Sequence, residues 1–133
     1  MVRWRNTVMG QEHLQRTVNQ VILLGRLAVL PERMSEEKGL PVCRMQLVTE
    51  EWTHDAAGAL TTRTEHHVLQ AEGALADFCL QRLVPGQQLY IEGVLRRNEQ
   101  AAHGQPWPVV VHVQKLLVAS WKTDIEAEDR EPQ

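Results

Sequence analysis

The sequence predicts an all-β domain: a five-stranded Greek-key barrel with one helix between its third and fourth strands. Three observations carry this expectation. Apolar, β-branched runs recur along the chain with turn-forming residues between them. One segment, between the third and fourth runs, switches its apolar period from two to that of a helix. The length of 133 residues suits one domain with a real core, and is too short for two.

The elements follow in order. Residues 18–28, VNQVILLGRLA, are apolar and β-branched and read as the first strand. Residues 29–41 carry Pro31, Gly39, Pro41 and several charges, so a loop is expected there. Residues 42–50 alternate, with Val42, Arg44, Gln46 and Val48 on one face and Cys43, Met45, Leu47 and Thr49 on the other. That period of two marks a half-buried second strand, with Arg44 expected at solvent or at a binding groove. A small-residue loop is expected over 52–60, with Trp52 at the strand end beside it, and a third strand over 61–71.

In GALADFCLQRLVPG the apolar Leu75, Phe78, Cys79 and Leu83 fall at helical spacing, and Pro85-Gly86 ends the run. Residues 87–97 return to strand character, with Gly93 marking a bulge or sharp bend. A polar loop over 98–108 leads to the last strand, 109–118. Strand, strand, strand, helix, strand, strand is the order of an OB-fold, whose loops between strands 1–2 and 4–5 serve for binding. The domain is expected to span 18–121. A flexible arm (1–17) precedes it, and a charged tail without aromatics (122–133) follows, expected to stay disordered.

The net charge is −3 and unevenly placed. Residues 1–18 hold three arginines against one acid, whereas residues 124–133 hold five acids against Arg130. The body between them is near neutral, which weighs against the strongly basic surface of a dedicated nucleic-acid binder. No run of eighteen apolar residues occurs, so no membrane partner is expected. Cys43 and Cys79 lie in apolar stretches outside any C-x-x-C pattern and read as small buried thiols, which fits a reducing compartment. The expected location is the cytoplasm. The Arg-bearing N-terminus also fits an organellar transit peptide, making the mitochondrial matrix the alternative.

Catalysis is not expected. Ser35 and Ser120 have no paired base motif, and Gly25 and Gly39 lack a phosphate-loop pattern. His66 and His67 are adjacent in a strand and point to opposite faces, so they do not share a metal ion. No cofactor is implied.

Several segments resemble the single-stranded DNA-binding proteins of bacteria and mitochondria. Asn19, Val21, Leu23, Gly25 and Leu27 fit that family's first-strand pattern, N-x-V-x-L-x-G-x-L. Thr49 to Trp52 fits [ST]-x-x-W, and Thr64-Glu65-His66-His67 is similar to T-E-W-H. Ala74 to Asp77 and Gly86 to Arg96, including Tyr90-Ile91-Glu92-Gly93, resemble the family's helix and fourth strand. The match covers about residues 18–120.

The resemblance implies sequence-independent binding of single-stranded DNA in replication, recombination or repair. It also implies homo-oligomers (a tetramer ahead of a dimer), replication or repair proteins as partners, and association with the nucleoid. Bases would stack on Trp52, with His66 and Trp107 as helpers, and Arg26, Arg33, Arg44, Arg63, Arg96 and Arg97 would track phosphates. For the two tryptophans the competing role is packing. For each arginine it is ordinary surface charge.

The departures are specific. His66 stands where the family has a tryptophan, Glu72 where a phenylalanine falls, and Gln100 near a further tryptophan. Each stacking platform is worth roughly 1–3 kcal/mol, so their loss weakens binding. The tail is acidic but ends Glu-Pro-Gln, without the family's final phenylalanine. Gly39 to Cys43 also resembles primosomal replication protein N, a dimeric relative with the same barrel. The alternative to DNA binding is therefore a primosomal-type accessory protein, or an interaction scaffold whose DNA surface has decayed.

Overall fold

The computed structural model describes residues 17–37, 39–98 and 108–120. The expected N-terminal arm, Trp107 and the acidic tail lie outside the described residues, apart from Thr17. The elements are β1 (Val21–Leu27), β2 (Glu32–Glu37), β3 (Leu40–His54), β4 (Leu60–Glu72), α1 (Ala74–Arg82), β5 (Gln88–Arg97) and β6 (Val109–Ser120).

Five of the strands close a ring. β1 pairs with β5, β5 with β6 and β4 with β3, all antiparallel except the β6–β4 seam, which is parallel, and β3 returns to β1. The closing seams are short: Arg26–Val48 and Leu27–Leu47 between β1 and β3, Leu69–Val111 and Gln70–His112 between β4 and β6. Together with the helix between β4 and β5, this is the expected OB barrel.

Two glycines let the ring close. A Cβ on Gly25 would lie 2.4 Å from the Val48 carbonyl oxygen across the β1–β3 seam. One on Gly93 would lie 2.2 Å from the His112 carbonyl oxygen, where the β5–β6 register shifts. The bulge expected at Gly93 is therefore present, and the missing side chain brings the two backbones together.

The strand count differs from expectation. Residues 32–37, expected in a loop, form β2, a sixth strand hydrogen-bonded to the outer edge of β3. Glu32 and Arg33 at its start are exposed, which suits an edge strand. Pro31, Gly39 and Pro41 mark the borders of this hairpin rather than a continuous loop. Gly39 takes φ +80°, a backbone region that only glycine enters freely.

The second correction concerns the loop expected at 52–60. β3 runs on to His54 and β4 begins at Leu60, leaving a tight turn at residues 55–59. Asp55 builds it. Its Oδ1 accepts hydrogen bonds from the amides of Ala57 and Ala59, both at 2.9 Å, and Gly58 sits at φ +88°. Trp52 is thus inside a strand, not at its end.

The barrel interior is lined by the alternate residues Cys43, Met45 and Leu47 of β3, facing Leu69 and Ala71 of β4 and Leu89 and Ile91 of β5. Helix α1 closes one end, burying Ala76 and Cys79, three residues apart on one face. It starts after Gly73 (φ +70°), whose amide donates to the Pro41 carbonyl, and stops where Leu83 takes extended backbone. Asp77 in the first turn and Arg82 in the last complement the helix dipole.

Candidate nucleic-acid interface

Residues opposed across an antiparallel ladder share a face of the sheet. Arg26 opposes Val48, and Val48 opposes His66, while Gln88 opposes Arg26 from the other side. Gln88, Arg26, Val48 and His66 therefore form one row across four strands. The row lies on the outer face, because the neighbouring pair Leu27–Leu47 points into the core. Four residues along β3, about 13 Å at the usual rise, Trp52 lies on the same face. Its side chain is open to solvent, 72% exposed, opposite Thr62.

Beside this row the β1–β3 seam opens into a groove of about 460 Å³. Leu24 to Ala28 form one wall, Val48 to Glu50 another, and Gly86 and Gln88 complete it. Arg26 thus stands at the groove, with His66 on the strand beyond it. Gln88 and Glu50 were not singled out from sequence. The outward phase of β5, opposite that of Leu89 and Ile91, was the signal for Gln88. Glu50 stands between Val48 and Trp52 on the outer face, opposite Thr64, and puts a negative charge between the cation and the indole.

The other candidate arginines stand apart from this row. Arg33 opposes Cys43, on the inward-phase side, and makes a 3.9 Å ion pair with Asp77 of α1. Arg63 opposes Glu51 and donates from Nε to Glu65 Oε2 at 3.0 Å, on the face opposite Trp52. The hydrogen bond to Glu65 raises the Arg63 pKa and lowers that of Glu65. Both carboxylates compete with any phosphate for this guanidinium. Arg96 and Arg97 are exposed at the far end of β5, opposite Val110 and Val109.

Arg44 corrects the expectation outright. It has the outward phase of Trp52, but it is 8% exposed. Its Nε and Nη2 both donate to Gln70 Oε1, at 3.2 and 2.8 Å. Desolvation lowers its pKa, opposed by the charge of Glu32 across the β2–β3 ladder. Alternation read the face correctly. It gave no sign that Val42 at 3%, Val68 at 8% and Val110 at 4% would also be buried, although none belongs to the interior cluster.

His67 takes the inward phase, and its Nε2 is 2.9 Å from Thr49 Oγ1. The two adjacent histidines are divided between faces, as the strand period requires. The arrangement can stack a planar group on Trp52 and place an anion at Arg26.

Comparison with known proteins agrees with this geometry. The model of the single-strand binding protein family matches residues 18–117. Single-stranded DNA-binding protein 1 of Chlorobaculum tepidum is 43% identical over 83 residues, which is 62% of this chain. The chain spans about half the length of that curated relative, 51% of it. Among solved structures, the Plasmodium falciparum SSB in complex with ssDNA is similar at a TM-score of 0.68 and 18% identity, over 80% of this chain and 99% of that one. The PriB protein of Ralstonia solanacearum is similar at 0.59 and 21% identity, over 78% and 100%. These two likenesses concern the fold. With the family match running from the start of the barrel into its last strand, the chain belongs to the single-strand binding protein family.

Proposed function

We propose that this protein binds single-stranded DNA without sequence preference, in replication, recombination or repair. The observation that carries the reading is the largely exposed Trp52 on the same outer face as Arg26 and His66. A base stacks on the indole, the backbone passes the β1–β3 groove, and Arg26 takes a phosphate. The family relative named above is a single-stranded DNA-binding protein, and one structural neighbour holds ssDNA. Both support the same chemistry here. Trp107 remains a proposed second platform, and Arg96 and Arg97 proposed phosphate contacts at the far end of β5. Arg33 and Arg63, each paired with a carboxylate, rank below them.

Self-association belongs to the same proposal. Leu24 of β1, Tyr90 of β5 and Leu117 of β6 form an outward row, with Leu24 and Leu117 each about half exposed. An apolar row of this kind suits burial against a second copy. The expected assembly is a homo-oligomer, tetramer ahead of dimer, which light scattering on the eluting peak reads directly. Replication or repair proteins as further partners, and a cytoplasmic, nucleoid-associated location, complete the proposal.

A second reading, an interaction scaffold with weakened DNA binding, is favoured by Glu50 on the Trp52 face and by the carboxylates around Arg63. Titration with oligothymidylate, followed by tryptophan fluorescence at low and moderate salt, separates the two. DNA binding gives saturating quenching that weakens with salt and is lost in Trp52→Ala. An unchanged spectrum at low salt selects the scaffold.

A further inference from the structure

Between the indole of Trp52 and the guanidinium of Arg26 the outer face carries a carboxylate, which by itself repels a polyanion. Glu50 lines the β1–β3 groove and is exposed. It stands two residues before Trp52 on β3, about 7 Å at the usual rise, and on the same face. Among the described residues none forms an ion pair with its carboxylate or donates a hydrogen bond to it, Arg26 included. Thr64 opposes it on β4 and is exposed too. A hydroxyl and a carboxylate therefore stand side by side, with Cβ atoms about 5 Å apart as in any directly opposed pair.

We propose that Glu50 reads the base stacked at Trp52 and favours guanine there. The inference rests on the single-strand reading of this face, and adds a bias at one nucleotide to binding that accepts any sequence. A deoxynucleotide strand offers a carboxylate few donors. Its phosphate and sugar oxygens only accept, so within the strand only the N–H groups of the bases can satisfy Glu50. A carboxylate is held best by two parallel donors, one to each oxygen.

Guanine presents N1–H and the 2-amino group next to each other, with O6 beside them. The two donors meet the two oxygens of Glu50, and the Thr64 hydroxyl donates to O6. Thymine presents a single donor, N3–H, between two carbonyl oxygens, and one of these faces the carboxylate. Cytosine and adenine each set one amino group beside a ring nitrogen that accepts. Guanine is thus the base whose edge matches the Glu50–Thr64 pair. Against thymine the second carboxylate oxygen adds only repulsion, so Glu50 acts by rejection as much as by attraction. The site is solvated, which puts the preference at the low end for a bidentate base contact, about five-fold.

The test binds fluorescein-labelled oligothymidylate to the full chain at low salt and displaces it with unlabelled strands of equal length, read by anisotropy. The competitors alternate thymidine with deoxyguanosine, alternate thymidine with deoxyinosine, or hold thymidine alone. Inosine keeps the purine ring for stacking and lacks only the 2-amino group. The wild-type chain should favour the guanine strand over the inosine strand by about five-fold. In Glu50→Gln that ratio should fall to near one, while the thymidine strand binds at least as tightly as to wild type, because a negative charge has gone. Equal competition by the guanine and inosine strands on the wild-type chain overturns the inference and leaves the single-strand reading standing. A guanine preference that survives Glu50→Gln does the same. A wild-type chain that does not bind the labelled strand at all overturns both.

Discussion

The two ends of one hairpin, β3 with β4, have opposite fates. Near its base Cys43, Met45, Leu47, Leu69 and Ala71 are at most 1% exposed. Beyond Thr49, every residue from Glu50 through His66 is exposed, on both faces. The ladder is continuous across this change, with paired residues from Val42–Glu72 to His54–Leu60. Hydrogen bonding does not distinguish the ends; what lies against them does. The base meets α1, β1 and β6, while among the described residues the tip has only its own two strands. The base therefore carries stability, and the tip, with Trp52 on one face, is free to carry binding.

That division can be broken from either end. The largest effect is expected from Leu47→Ala, which removes a completely buried side chain at the β1–β3 seam. It should lower unfolding free energy by about 2–5 kcal/mol in denaturant titration, and leave the affinity of the remaining folded protein for DNA nearly unchanged. Gly25→Ala comes next. Its new methyl would press on the Val48 carbonyl, a backbone atom that cannot rotate away, and a cost of about 1–3 kcal/mol is expected from the same titration. A Gly25→Ala chain as stable as wild type would show that the seam is looser than these contacts require.

The smaller effects sharpen the picture on the binding side. Arg26→Ala should reduce the slope of log affinity against log salt by about one, as a single phosphate contact requires, with the melting midpoint unchanged. Arg63→Ala should do least. Its guanidinium is held by Glu65 on the face away from Trp52, so neither the salt slope nor the midpoint should move measurably. An Arg63→Ala loss as large as that of Arg26→Ala would mean that both faces of the tip touch DNA.

Much of the barrel was legible because the strand period and the helical period differ. The alternation of residues 42–49 fixed the inward set Cys43, Met45 and Leu47, and the spacing of Leu75, Phe78, Cys79 and Leu83 fixed the helix. What was not legible depends on neighbours distant in sequence. Residues 32–37 are charged and carry no apolar pattern, so only the free edge of β3 makes them a strand. Arg44 has the outward phase, yet it is buried and bound to Gln70, a partner 26 residues away. Of the candidate site, Trp52 and Arg26 were singled out from sequence, and the structure places them on one outer face. Their grouping with His66 is a matter of register across three strands, which no local pattern encodes.

The claim that the tip binds while the base holds the fold is tested most directly by one variant measured in two ways. Trp52→Ala should melt with the wild-type chain, since its side chain is largely solvated, and a stability change within about 0.5 kcal/mol is expected. Its affinity for a fluorescein-labelled oligothymidylate, by anisotropy at low salt, should fall by about 1–3 kcal/mol. Wild-type affinity in the folded variant, or a loss of binding that merely follows a loss of stability, would contradict the account.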